Sequence, residues 1–261
     1  MRREPDENSV IESAQFCIAD GITLGSRGLL ADAIEAFDKA LSACHGAKRK
    51  SAAVHFFTAQ ALANKGAALD DLDRYAEAVQ CYDAAIAIYV RMAERDPHVD
   101  VLNSYAVSVM NKGWALIHLG REEEGFRCYE EALQLRRQLA ADGNHTALSD
   151  VARSLYNIGE GYYRAERFAK ALPAFDEAEE ILRPMLTAGQ AEPEEALAYV
   201  LAAKADTLQM LGRLQEARDV SDEALALLKR LSRATENPKL ASAIATTLDG
   251  RKTILRKLNQ R

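Results

Sequence analysis

The stretch SVMNKGWALIHLG, residues 108–120, holds the only tryptophan of the chain, and its Asn-x-Gly occurs twice more at matching places. LANKGAALDDLD precedes it at 62–73 and LYNIGEGYYRAE follows at 155–166. Aligning the three on their glycines brings out a longer pattern. Gly66, Ala78, Tyr82 and Ala85 stand at offsets 0, 12, 16 and 19, as do Gly113, Gly125, Tyr129 and Ala132, and then Gly159, Ala171, Phe175 and Ala178. The same offsets give Gly21, Ala33, Phe37 and Ala40 upstream, and a weaker Ala205, Ala217, Ser221 and Ala224 downstream. Successive first positions lie 45, 47, 46 and 46 residues apart, so the chain is a tandem array.

Each unit reads as two antiparallel helices. A small residue in the middle of the first lets the second approach closely, the small residues at 12 and 19 lie across that contact, and the aromatic at 16 fills the space between neighbouring units. Second-helix segments such as AEAVQCYDAAIAIYVRMA (76–93) and EEGFRCYEEALQLRRQLA (123–140) carry apolar residues at three- and four-residue spacing. Polar turns such as LGRE (119–122) and LGRL (211–214) separate the helices, and Pro97, Pro193 and Pro238 stand at the starts of new first helices, where proline is tolerated. No alternating strand pattern occurs. The expected fold is all-α: a single domain over 1–261, with five helix pairs at about 8–47, 48–96, 97–143, 144–190 and 191–234. Residues 237–258, NPKLASAIATTLDGRKTILRKL, have no second helix after them and read as a capping helix over the last pair's apolar face.

This small–aromatic–small spacing resembles the tetratricopeptide repeat, whose common unit has about 34 residues. The longer unit here is similar to those of kinesin light chains and bacterial arrays, and the text that carries the likeness is MAERDPHVDVLNSYAVSVMNKGWALIHLGREEEGFRCYEEAL at 92–133. The resemblance covers about residues 12–232 and implies a right-handed α-solenoid whose first helices line a concave surface. Armadillo and HEAT units have similar periods but lack this spacing.

If each glycine faces its partner helix, a residue two positions earlier points about 160° away, at 100° per residue. Asn64, Asn111 and Asn157 then share a face. Positions six before, one after and five after the glycine lie on the same side. They are Gln60, Ala67 and Asp71 in the second pair, Val107, Trp114 and His118 in the third, and Arg153, Glu160 and Arg164 in the fourth. Met110 and Tyr156 border the stripe. The resemblance makes this stripe the groove for an extended peptide of a partner protein. An asparagine amide can donate to and accept from a peptide backbone, and first helices about 10 Å apart would hold such a guest roughly every third residue. Three such contacts contribute about 2–4 kcal/mol, whereas a micromolar complex needs about 8. Trp114, Tyr156, Arg153 and Arg164 are therefore candidate anchors, and the arginines favour an acidic or carboxylate-bearing ligand, against which Asp71 and Glu160 work. The asparagines equally suit bonds between neighbouring first helices. Ala19 and Ala203 replace them in the outer pairs, which confines the expected site to the middle three. The chaperone-tail clamp of the family needs a lysine three before the glycine, where Ile18, Ala63, Met110, Tyr156 and Ala202 stand here.

The net charge of −6 argues against a general nucleic-acid or anionic-membrane binder, and the basic Arg251, Lys252, Arg256, Lys257 and Arg261 read as complementing the dipole of a last helix. With no apolar run at the start and none long enough to span a bilayer, a cytoplasmic location is expected. Cys17, Cys44, Cys81 and Cys128 form no zinc spacing and read as reduced packed thiols. His45, His55, His98, His118 and His145 are scattered, and no nucleophile, phosphate-loop or metal motif occurs, so neither catalysis nor a cofactor is expected. The leading expectation is a protein-interaction module with a peptide in its groove. A peptide- or effector-sensing regulator and a structural subunit, including a homodimer, are the alternatives.

Overall fold

In a computed structural model the chain folds into helices. The structure describes residues 6–48, 50–141, 145–186, 191–234 and 238–260, and among these there is no strand. Asn237, Arg261 and the repeat limits expected at 143–144 and 190 lie outside the described residues. The helices are α1 (Glu7–Ser26), α2 (Leu30–His45), α3 (Ala52–Asp70), α4 (Tyr75–Ala93), α5 (Val99–His118), α6 (Glu122–Ala140), α7 (His145–Arg164), α8 (Phe168–Leu186), α9 (Ala191–Met210), α10 (Leu214–Ala234) and α11 (Pro238–Asn259). They divide between two compact units, Met1–Leu135 and Arg136–Arg261, with the boundary inside α6.

In the N-terminal unit α1 pairs with α2 and α3 with α4, while α1, α3 and α5 also touch one another in sequence as an inner layer. The C-terminal unit repeats the plan, with pairs α7–α8 and α9–α10 and an inner layer of α7, α9 and α11. The physical reason for the recurring glycine is visible in each hairpin. A Cβ at Gly21 would stand 2.5 Å from the Phe37 ring, one at Gly66 or Gly113 2.7 Å from Tyr82 or Tyr129, and one at Gly159 2.5 Å from Phe175. The ring at offset 16 thus lies on the glycine of its own pair, and also reaches the next first helix: Phe37 packs with Ala68, and Tyr82 with Ala115 and Leu116. The third hairpin is the tightest, because a Cβ at Gly125 would meet the Gly113 carbonyl at 2.6 Å. In the fifth, Ala205 and Ser221 replace glycine and ring, and the Ser221 hydroxyl is buried without a hydrogen-bond partner among the described residues.

Two further regularities follow the same numbering. Seven residues after each small residue the backbone turns left-handed, at Gly28, Asp73, Gly120, Glu166 and Gly212, with φ between 56° and 77°. The following residue's N–H then closes on the carbonyl five positions back, for example Arg74 to Leu69 at 2.9 Å and Arg121 to Leu116 at 2.9 Å, which ends the helix in a Schellman turn. The lysine before the small residue bonds back to the preceding pair: Lys65 to Asp38, Lys112 to Asp83 and Lys204 to Asp176, each at 2.6 Å. These lysines are 17–26% exposed, so solvent screens them less than ordinary surface pairs. Ile158 fills that position in the fourth pair.

Prolines sit where the sequence reading did not place them as well as where it did. Pro238 opens α11 and Pro193 lies in the first turn of α9, but Pro173 and Pro184 stand inside α8. The last helix, α11, covers the final pair. Leu240, Ala243 and Ile244 pack with Ala198 and Leu228, while Ile254 and Leu258 pack with Leu208, Leu214 and Ala217.

Candidate functional site

The inner layers present the predicted stripe. On α3 of the N-terminal unit, Gln60 and Asn64 are half-buried, and the Asn64 Nδ2 donates to the Gln60 carbonyl at 2.9 Å. That amide is therefore partly spent on its own helix, one turn back, rather than on a neighbouring one. Asn111 and Trp114 on α5 are half-buried too. The Trp114 ring lies 4.6 Å from that of His118, which stacks at 4.5 Å and 15° on Tyr75 of α4. Trp114 belongs to a short aromatic row rather than standing alone. Met110, expected at the border of the stripe, is 3% exposed and belongs to the core. Ile22 and Val107, at stripe positions of α1 and α5, are exposed.

In the C-terminal unit the stripe is ionic. Arg153 on α7 is exposed and ion-paired with Asp150, one turn before it. Arg164 is exposed at the end of the same helix, where its charge acts on Glu160. Asn157 is half-buried. Tyr156, also half-buried, has its ring 6.1 Å from that of Phe175 and forms one wall of a cavity of about 620 Å³. Glu160 of α7, Tyr199, Ala203 and Asp206 of α9, and Lys239 and Thr246 of α11 form much of the rest. The helices come this close because α11 has Gly250 opposite Asp206: a Cβ there would stand 2.9 Å from Oδ1.

Electrostatics in this cavity run against leaving its acids exposed to nothing but each other. Burial pushes the Asp206 carboxyl up to about 6. Glu160 is raised as well, by burial first; Arg164 opposes the rise and Asp206 adds to it. Tyr156 is held above the ordinary phenol range by burial and by the neighbouring Glu160 charge. These carboxylates lie half out of water beside two phenol rings, with Lys239 in the same wall. Such a site lowers its own free energy by taking up a cation.

The structure thus brings Gln60 and Asn64 together on one helix, Asn111 and Trp114 on another, and Tyr156 with Glu160 around a cavity. Arg153 it commits to Asp150. Tyr199, Ala203, Asp206 and Met210 occupy the stripe positions of the fifth pair, which the sequence reading set aside because Ala203 replaces asparagine. Counting positions from Ala205 instead of looking for asparagine would have found them.

The tetratricopeptide repeat family matches twice, over residues 58–99 and 105–183. Among solved structures, BtubC (BKLC) from P. vanneervenii is similar with a TM-score of 0.69 at 17% identity, over 87% of this chain and 84% of that one. A putative kinesin light chain of P. anserina with nearly identical tetratricopeptide-like repeats gives 0.64 at 14%, over 84% and 96%. The apo form of RapI gives 0.59 at 13%, over 97% and 87%. No curated protein matches in sequence. With the hairpin geometry, these matches identify the chain as a tetratricopeptide-repeat protein, of a family of protein-interaction modules.

Proposed function

We propose that the protein is a non-catalytic adaptor that holds a basic, extended segment of a partner protein on the inner face of its C-terminal unit. The observation that carries this reading is the cavity between α7, α9 and α11, in which three half-buried carboxylates, Glu160, Glu195 and Asp206, sit beside Tyr156 and Tyr199. An arginine or lysine of the partner would enter between the tyrosines, whose faces attract cations, and meet the carboxylates. Each hydrogen bond to a charged group contributes about 1.5–3 kcal/mol. Two such bonds with a backbone contact from Asn157 contribute about 4–7 kcal/mol, most of the roughly 8 kcal/mol of a micromolar complex.

On this reading Asn157 grips the backbone next to the anchoring cation. Gln60, Asn64, Asn111 and Trp114 offer the same kind of amide and ring contacts on the inner face of the N-terminal unit. Arg153 and Arg164 flank the site and select against cations placed further along α7, and Lys239 does so from α11.

An array of nine-residue peptides probed with the full-length chain tests the proposal. Retained peptides are expected to share an arginine or lysine next to an apolar residue. The variant E160Q/D206N should lose them by at least tenfold, and N157A should weaken the same set more modestly. Retention of mainly acidic peptides, or a set unchanged in E160Q/D206N, would contradict it.

A further inference from the structure

A second cavity, of about 510 Å³, opens on a different part of the molecule, among the first turns of α3, the last turns of α4 and the first turn of α5. It exists because the repeat is long. The common unit of about 34 residues needs only the helix segments around the Gly66–Tyr82 contact. The added turns carry α3 back to Ala52 and α4 on to Ala93. Its floor is apolar: Phe56, Phe57, Ile88, Met92 and Val101. Phe56 is fixed there by edge contacts to Phe57 and Tyr89 at 5.6 and 6.2 Å.

The rim carries positive charge in a chain that is acidic overall. Arg91 and Arg95 are exposed and have no ion pair among the described residues. Lys50 donates to the Cys44 and His45 carbonyls at 2.7 and 2.8 Å, so its charge meets no carboxylate there. Two acids are also present, Asp96 and Asp100, so the three cations exceed the carboxylates by one. The first turns of α3 and α5 border the cavity with partial positive charge and the last turn of α4 with partial negative charge, so the side chains decide the sign of the rim.

We infer that this edge cavity docks an acidic segment of a partner protein, with one bulky apolar side chain on the Phe56–Ile88–Met92 floor and flanking carboxylates on Arg91, Arg95 and Lys50. A cavity of this volume falls within the range of about 300–1,000 Å³ that takes a small ligand or a side chain or two. Charge complementarity selects the acidic segment over a basic or neutral one. The inference is independent of the basic-segment site on the C-terminal unit, which has the opposite polarity.

The test is fluorescence anisotropy on the full-length chain with a fluorescein-labelled peptide, Gly-Glu-Asp-Phe-Leu-Asp-Glu-amide. Saturable binding is expected, weaker by at least tenfold when Phe-Leu becomes Ala-Ala or when the acids become lysines. The charge reversal R91E/R95E, which touches only exposed side chains, is expected to weaken it by the same order with an unchanged circular dichroism spectrum. E160Q/D206N should leave it unchanged, which separates the two sites. Equal binding of the acidic and lysine peptides, or no response to R91E/R95E, would overturn the inference. Binding of sodium decanoate in place of the peptide would reassign the cavity to a fatty acid. A dimer dissolved by R91E/R95E in sedimentation would reassign it to a second copy of the chain.

Discussion

The inner faces of the two units are built on one scaffold and differ along the stripe, most plainly at one repeat position. One residue after the small residue, the N-terminal unit has Ile22, Ala67 and Trp114, whereas the C-terminal unit has Glu160 and Asp206. The supporting positions hardly change: in the first four pairs a ring lies on a glycine, in all five the turn is left-handed at the same place, and a lysine reaches back in three. The scaffold positions determine where a side chain stands, and the stripe positions determine what it meets. Because the two sets do not overlap, binding chemistry can change from neutral to anionic along one array without disturbing the packing.

The comparison breaks most severely at the scaffold. Gly159→Ala places a methyl about 2.5 Å from the Phe175 ring, which has Ala171 and Ala178 beside it and little room to move. A loss of about 1–3 kcal/mol is expected from such overpacking, read as a lower urea midpoint. An unchanged midpoint would mean that the ring is not held against the glycine.

A smaller effect separates Asp206 from Asp70, two carboxyls that burial raises to about 6 for different ends. Asp70 accepts the Tyr82 hydroxyl at 2.7 Å inside a hairpin, while Asp206 faces the cavity. Both have folded pKa values above the ordinary 3.8, so the folded state holds their protons more tightly. The stability this contributes is complete below about pH 4 and is lost as pH rises through about 6. Asp206→Asn should remove its part of that decline and raise stability at pH 7 by about 1–2 kcal/mol after allowing for solvent contact. The part due to Asp70 should persist. Denaturation curves at pH 5 and 7.5 on both proteins check this; an identical pH slope in D206N would mean that its carboxyl is not desolvated.

The smallest effect sharpens the turn rule. Glu166 and Asp73 hold φ of 56° and 58°, where their counterparts are glycine. Glu166→Gly is expected to be neutral to stabilising by up to about 1 kcal/mol, against the usual cost of adding a glycine, since it relieves the left-handed strain. A clear loss of thermal stability would show that the Glu166 side chain has a packing role.

Much of this was legible in the sequence for one reason: a contact between a ring and a glycine tolerates little else, so the pattern shows through a divergent chain. The fifth pair was also found, through its alanines, although Ser221 fills the ring position. Groove residues are under no such steric rule. Asparagine stands out as the recurrent polar residue, but the sequence does not show that Asn64 bonds to its own helix or that Arg153, a candidate anchor, pairs with Asp150 one turn away. Glu160 was placed on the stripe and read only as working against an acidic ligand, because its burial depends on α9, whose Asp206 and Tyr199 fell outside the asparagine series. The edge cavity was invisible, since Phe56, Ile88 and Met92 in sequence are ordinary apolar positions of amphipathic helices.

The most direct measurement is the affinity of the full-length chain for a labelled arginine-containing peptide and its glutamate counterpart, as a function of pH from 5 to 8. The account predicts that the arginine peptide binds at least tenfold tighter at pH 7.5, that the preference fades as pH falls through about 6 and Asp206 takes up its proton, and that E160Q/D206N abolishes it. Equal affinity for the two peptides, or a preference independent of both pH and these two carboxylates, would contradict it.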